Sequence, residues 1–121
     1  MARALEKTDP VLLRTIEDLR KASREHGAAI WRDLAERLGK SRARWSEVNL
    51  SVVARHARKG ETVAVPGVLL GTGTIPFAVT VAAYRASSSA RTKVEAAGGR
   101  VLDLLELARE VPRGSNVRIL G

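Results

Sequence analysis

The sequence contains no cysteine, which removes disulfides, thiolate nucleophiles and every cysteine-ligated zinc or iron–sulfur site in one step. That absence points to a reducing compartment. Histidine occurs only at positions 26 and 56. His26 directly precedes Gly27 at a helix end, where a cation complements the carbonyl dipole, and neither histidine has a neighbouring carboxylate-plus-nucleophile arrangement. No apolar run opens the chain as a signal peptide would, and none approaches the roughly 20 residues of a membrane span. The expectation is a cytoplasmic protein with no membrane partner. Acids are also short: 13 Asp+Glu stand against 21 Lys+Arg, for a net charge of +8. Those carboxylates are dispersed along helices and caps rather than gathered in one loop, so no metal, cofactor or small-molecule substrate is expected.

The cations are what the chain has in excess. Sixteen of the 21 are arginine, whose planar five-donor fork suits phosphate better than the point charge of lysine. Between residues 20 and 60, eleven cations face four acids, a bias that a merely soluble surface does not need. A polyanion is the simplest partner. On this reading the arginines of the first half form one connected face against sugar–phosphate chains.

The chain length of 121 residues fits one α/β domain, with residues 1–60 mostly helical and basic and 61–121 mixed strand and helix. Arg3 and Lys7 lie in a polar leader expected to be mobile or ordered only by a partner. Asp9 and Pro10 open a helix carrying Leu12, Ile16 and Leu19 at helical spacing, ended by Gly27. Ile30, Leu34 and Leu38, with Trp31 and Ala35, mark a second helix, closed by Gly39 in a left-handed conformation. Asn49 or Ser51 caps a short third helix through Val52, Val53 and Ala57. Thereafter the periodicity changes. Thr62–Val65 reads as a strand stopped by a Pro66-Gly67 turn, with Val68-Leu69-Leu70 as another short apolar run. Ala78–Tyr84 is near-continuously apolar, as a strand buried on both faces should be. Ser87, Ser88 and Ser89 offer caps for a helix ended by Gly98-Gly99. Val101-Leu102, a helix from Leu104 to Arg109 capped by Asp103, and a final strand Val117–Leu120 complete the chain.

Lys40 to Ser51 reads as a contact segment rather than core, because it offers cations, an indole face and small hydroxyls between two helical patterns. Arg42, Arg44, Arg55, Arg58 and Lys59 are the candidates for phosphate, with Lys40, Arg24 and Arg32 beside them. Trp45 and Asn49 are candidates for orientation or a local base contact; for Trp45, packing beneath the loop is the competing reading. Trp31 adjoins an apolar stripe and reads as core. Ser115 and Asn116 form a turn whose small side chains allow a close approach to a phosphate, with Arg113 and Arg118 on either side. Single arginines such as Arg85 read as ordinary solvated charges. Gly71-Thr72-Gly73 follows a strand as a phosphate-binding loop would, but it lacks the lysine and the third glycine of the known fingerprints, and Pro76 sits where a helix would begin. A plain turn is the better reading.

Several of these stretches together resemble the archaeal members of the large-subunit ribosomal protein eighteen-e family, which is related to bacterial large-subunit ribosomal protein fifteen. They are Gly27 to Leu38 (GAAIWRDLAERL), Arg44 to Ser51 (RWSEVNLS), Val63 to Gly71 (VAVPGVLLG), Val79 to Ala83 (VTVAA) and Gly114 to Arg118 (GSNVR). The match spans nearly the whole chain in the same order. The resemblance implies an α/β domain of irregular repeated strand–strand–helix turns, bound to large-subunit ribosomal RNA beside neighbouring ribosomal proteins, and no catalysis. Two stretches depart from the family pattern. Ser41 and Ala43 stand where proline and a further basic residue are common. Ile75-Pro76-Phe77 replaces a more polar turn and suggests an apolar contact with a neighbour. Two other functions compete: a free-standing RNA-binding or RNA-chaperone protein, and a small nucleotide-using enzyme built on Gly71–Gly73.

Overall fold

A computed structural model describes residues 9–41 and 44–121. Helix α1 (Pro10–His26) starts where Asp9 Oδ1 accepts the amides of Val11 and Leu12 at 3.0 and 3.4 Å, with Pro10 in the first turn where no amide is needed. It stops at Gly27, whose φ of 62° is open to a residue without a Cβ. Helix α2 (Ala29–Leu38) buries Trp31, Leu34, Ala35 and Leu38. Trp31 is fully buried, and its Nε1 donates to the Pro112 carbonyl at 2.7 Å, so it is core as expected. Gly39, by contrast, is not left-handed: it lies at φ −73° and its amide completes the last helical turn.

Next come β1 (Ser46–Asn49), α3 (Leu50–His56), β2 (Thr62–Leu70) and β3 (Thr80–Ala86), and then α4 (Ser88–Ala96), β4 (Arg100–Asp103), α5 (Leu104–Glu110) and β5 (Val117–Ile119). Every strand pairing is parallel, in the order β1-β2-β3-β4, with β5 on the same edge of β2 as β1. β5 takes residues Thr62–Ala64 of β2, and β1 takes Gly67–Leu70, so the two short strands lie end to end. The α/β class is as expected, and the mostly helical first half also gives the sheet one short strand, β1.

Pro66-Gly67 does not stop β2. The strand runs through it at a register shift between Val65 and Val68, a place where β5 has ended and β1 has just begun, so the missing proline amide costs no ladder bond. Gly67 lets β1 come close: a Cβ there would overlap the Ser46 main chain. β3 is central, and Val81, Ala82 and Ala83 are buried, two residues along from the expected span.

Alternation along these strands sorts the apolar residues into two layers. Ala64 and Ala82 face α1, α2 and α5, whereas Val63, Val65, Val81 and Ala83 face α3 and α4. Ile75 is buried in the second layer, with Phe77 packed against it, so this departure from the family pattern serves the chain's own core.

Candidate nucleic-acid interface

The segment from Lys40 to Ser51 is less of a contact than its composition suggests. Trp45 is 9% exposed, its Nε1 donates to the Leu38 carbonyl at 3.0 Å, and its ring meets that of Tyr84 at 5.3 Å in an edge-on arrangement. It has no face left for a base, which corrects its assignment as an RNA-facing residue. Val48 and Leu50 are buried beside it in sequence. Asn49 occupies the N-cap position of α3 but its side chain makes no capping bond, and Oδ1 is buried without a hydrogen-bond partner among the described residues. An exposed RNA contact through that oxygen is thereby ruled out. The Ser51 amide instead donates to the Thr72 carbonyl at 3.2 Å.

That carbonyl belongs to the Gly71–Gly73 loop. The loop turns its oxygens inward: Lys93 Nζ binds Gly71 O at 2.7 Å and Gly73 O at 2.9 Å. A Cβ on Gly73 would meet the Ser51 amide at 2.9 Å. A phosphate cradle needs open space in front of its backbone, and here that space is taken: a Cβ on Gly71 would overlap Ser89 of α4, and one on Gly73 would overlap Ser51 of α3. It is a turn.

The cations divide by their partners. Arg24 lies 3.8 Å from Glu17, Arg32 3.8 Å from Glu36 and Arg37 3.1 Å from Asp33, all exposed pairs of small energetic weight. Arg118 is a tie between elements: Nη1 donates to the His56 carbonyl at the end of α3 at 3.0 Å, and Nη2 reaches Glu61 at 3.4 Å. By contrast, Lys40, Arg44, Arg55, Arg58, Lys59 and Arg113 are exposed, and none forms a side-chain ion pair among the described residues. Arg42 lies outside the described residues, as do Arg3 and Lys7.

Position sorts them again. Arg55 ends α3, Arg58 and Lys59 follow it, and the adjoining Gly60–Thr62 stretch lines a cleft of about 520 Å3 with Ser115, Asn116 and Arg118 at the amino ends of β2 and β5. Asn116 turns the chain there at φ 61°. Lys40 and Arg44 precede β1, whose first residue pairs with Gly67, five residues up β2 from Thr62. That is about 16 Å at a strand's rise. Arg24 and Arg32 share a groove of about 530 Å3 between α1 and α2 with Arg20, on the opposite layer from α3. The first-half arginines therefore do not form one connected face. Arg20 is a residue the sequence reading passed over, although its i,i+4 spacing from Arg24 was the available signal.

Comparison with known proteins gives the family. A family profile described as covering the ribosomal proteins 50S-L15 and 50S-L18e, with their 60S counterpart, matches residues 32–102. The chain is 44% identical over 120 residues to "Large ribosomal subunit protein eL18" of Methanoregula boonei, covering 99% of each chain. The protein of the same name from Halobacterium salinarum is 44% identical over 116 residues, 96% of this chain and 99% of the relative. That from Methanopyrus kandleri is 47% identical over 118 residues, 93% of each. The chain belongs to this family of ribosomal proteins. Membership agrees with the resemblance seen in the sequence and makes the chain a structural protein rather than an enzyme. Within the family profile's span fall the free cations Lys40, Arg44, Arg55, Arg58 and Lys59.

Proposed function

We propose that this chain is a structural constituent of the large ribosomal subunit, in the cytoplasm, and that it holds ribosomal RNA through phosphate and sugar contacts, beside other large-subunit proteins. One observation carries the reading: the exposed side chains of Lys40, Arg44, Arg55, Arg58, Lys59 and Arg113 form no ion pair among the described residues, in a chain whose net charge is +8. Unneutralised cations such as Arg55, Arg58 and Lys59, close together in the chain beside the cleft, repel one another until a polyanion arrives, and binding then releases the counterions condensed on the RNA. A-form helices hide their base edges, so backbone and 2′-hydroxyl contacts outweigh sequence reading here. Ser115 and Asn116, being small and exposed on the cleft rim, let a ribose approach the main chain.

The test is the salt dependence of binding to purified large-subunit RNA. Replacing Arg55, Arg58 and Lys59 together with alanine lowers the slope of log K against log salt by about 0.7–0.9 for each phosphate no longer neutralised. An unchanged slope removes these residues from the interface. Sucrose-gradient sedimentation of a lysate separates this function from a free-standing RNA chaperone: the chain travels with the large subunit at moderate salt, whereas a chaperone stays near the top or spreads across all RNA.

A further inference from the structure

A second groove lies away from these cations. It holds about 720 Å3 between the start of α1 and the carboxyl ends of β3 and β4, the end of a parallel sheet at which α/β proteins take ligands. Pro10, Val11, Tyr84 and Leu105 give it apolar walls, and Arg14 and Arg85 line it as well. Val11 is 65% exposed, an unusual state for a valine with a core so close.

The polar groups narrow what the groove can accept. Its two carboxylates are already engaged: Asp9 caps α1, and Asp103 Oδ1 accepts the Glu106 amide at 2.7 Å in a capping box on α5. Both helix starts are thus closed to an outside anion. Arg14 and Arg85 form no ion pair among the described residues, so the groove is apolar with two unpaired cations. The Arg85 guanidinium sits 5.7 Å from the centre of the Tyr84 ring, and Tyr84 is held edge-on by the buried Trp45. A ring with a guanidinium over it offers the two kinds of group on which unpaired bases stack. A protein segment would need an acidic residue to answer the two arginines; RNA brings its phosphate with every base.

We propose that this groove receives one unpaired nucleotide of the large-subunit RNA, its base against Tyr84, Arg85 and the Val11–Leu105 wall and its phosphate on Arg14. The proposal rests on the RNA-binding reading above and adds a base contact to a backbone interface. Cross-linking tests it in assembled subunits: Val11→p-benzoylphenylalanine, irradiated in large subunits purified from cells, joins the chain to ribosomal RNA at an unpaired position. Base-reactive probing of purified large-subunit RNA supplies the second arm. One nucleotide protected by the wild-type chain regains its reactivity with the Arg14→Ala/Arg85→Ala variant, and affinity falls roughly five-fold or more, while thermal unfolding is unchanged because both side chains are exposed. A cross-link to a protein, or protections identical in the variant, overturns the proposal and leaves the backbone interface standing. If the wild-type chain protects no nucleotide, this proposal falls, while the backbone interface is judged by its own salt slope.

Discussion

The Lys93 ammonium lies 2.7 Å from the Gly71 carbonyl oxygen and closes the glycine loop from within. Lys93→Met keeps most of the apolar stem but leaves two part-buried carbonyls without their donor. Charge-assisted bonds of this kind contribute about 1–3 kcal/mol. Denaturant unfolding of the variant is expected to show a loss in that range, with RNA affinity of the folded chain unchanged; equal stability would mean the clasp is ornamental. Gly73→Val, with φ at 94° and the Ser51 main chain in the way, is expected to lower stability in the same unfolding measurement; saturable nucleotide binding by the wild type that this variant loses would restore the enzyme reading.

Trp45 fills the junction between α2, β1 and β3. Trp45→Ala removes the Leu38 hydrogen bond and the edge-on packing on Tyr84, and leaves a cavity. A loss of about 3–5 kcal/mol follows from core truncation on this scale. The informative measurement pairs that unfolding curve with the salt slope: a buried tryptophan changes the first and spares the second. A slope that falls in the folded variant would return Trp45 to the interface.

Gly67 faces Ser46 across the β1–β2 pairing with no room for a methyl group. Gly67→Ala forces β1 outward, at a cost of about 1–3 kcal/mol for overpacking. Hydrogen exchange resolves where the damage lies, since amides in the β1–β2 ladder exchange faster while those of the β3–β4 ladder keep their protection.

Arg100 and Glu110 form a bidentate pair, at 3.0 and 2.8 Å, that ties β4 to the end of α5. The hydrogen bonds from Arg100 hold the Glu110 carboxyl below its ordinary range, and its charge adds to them. A carboxyl depressed in the folded state stabilises above its unfolded pKa, and that contribution fades as the pH falls through the folded value. Melting temperatures of wild type and Glu110→Gln should therefore differ slightly at neutral pH, as befits an exposed pair, and converge on acidification. A gap that persists in acid would assign the difference to packing.

Much of the fold was legible because it is decided locally. Asp9-Pro10 and Gly27 bound α1 through contacts within a turn of the chain, and Ser87 and Asp103 do the same for α4 and α5. The central strand was readable from Ala78–Tyr84, since a segment covered on both faces needs no alternation. Pro66-Gly67 misled because its local preference is a turn. The end-to-end placement of β5 and β1, which come from opposite ends of the chain, made room for it inside a strand.

By itself the sequence determined the α/β class, the helix limits, the excess of arginine and the family, since each is written in short-range chemistry or in the order of residues. Only the tertiary structure decided that Trp45 is core, that the Gly71–Gly73 oxygens belong to Lys93, and that the first-half cations split between two layers. These depend on which elements a parallel sheet brings side by side. Pairing residues 46 with 67 and 62 with 117 is a long-range choice, made by the burial of two apolar layers at once, and no stretch of the chain carries it alone.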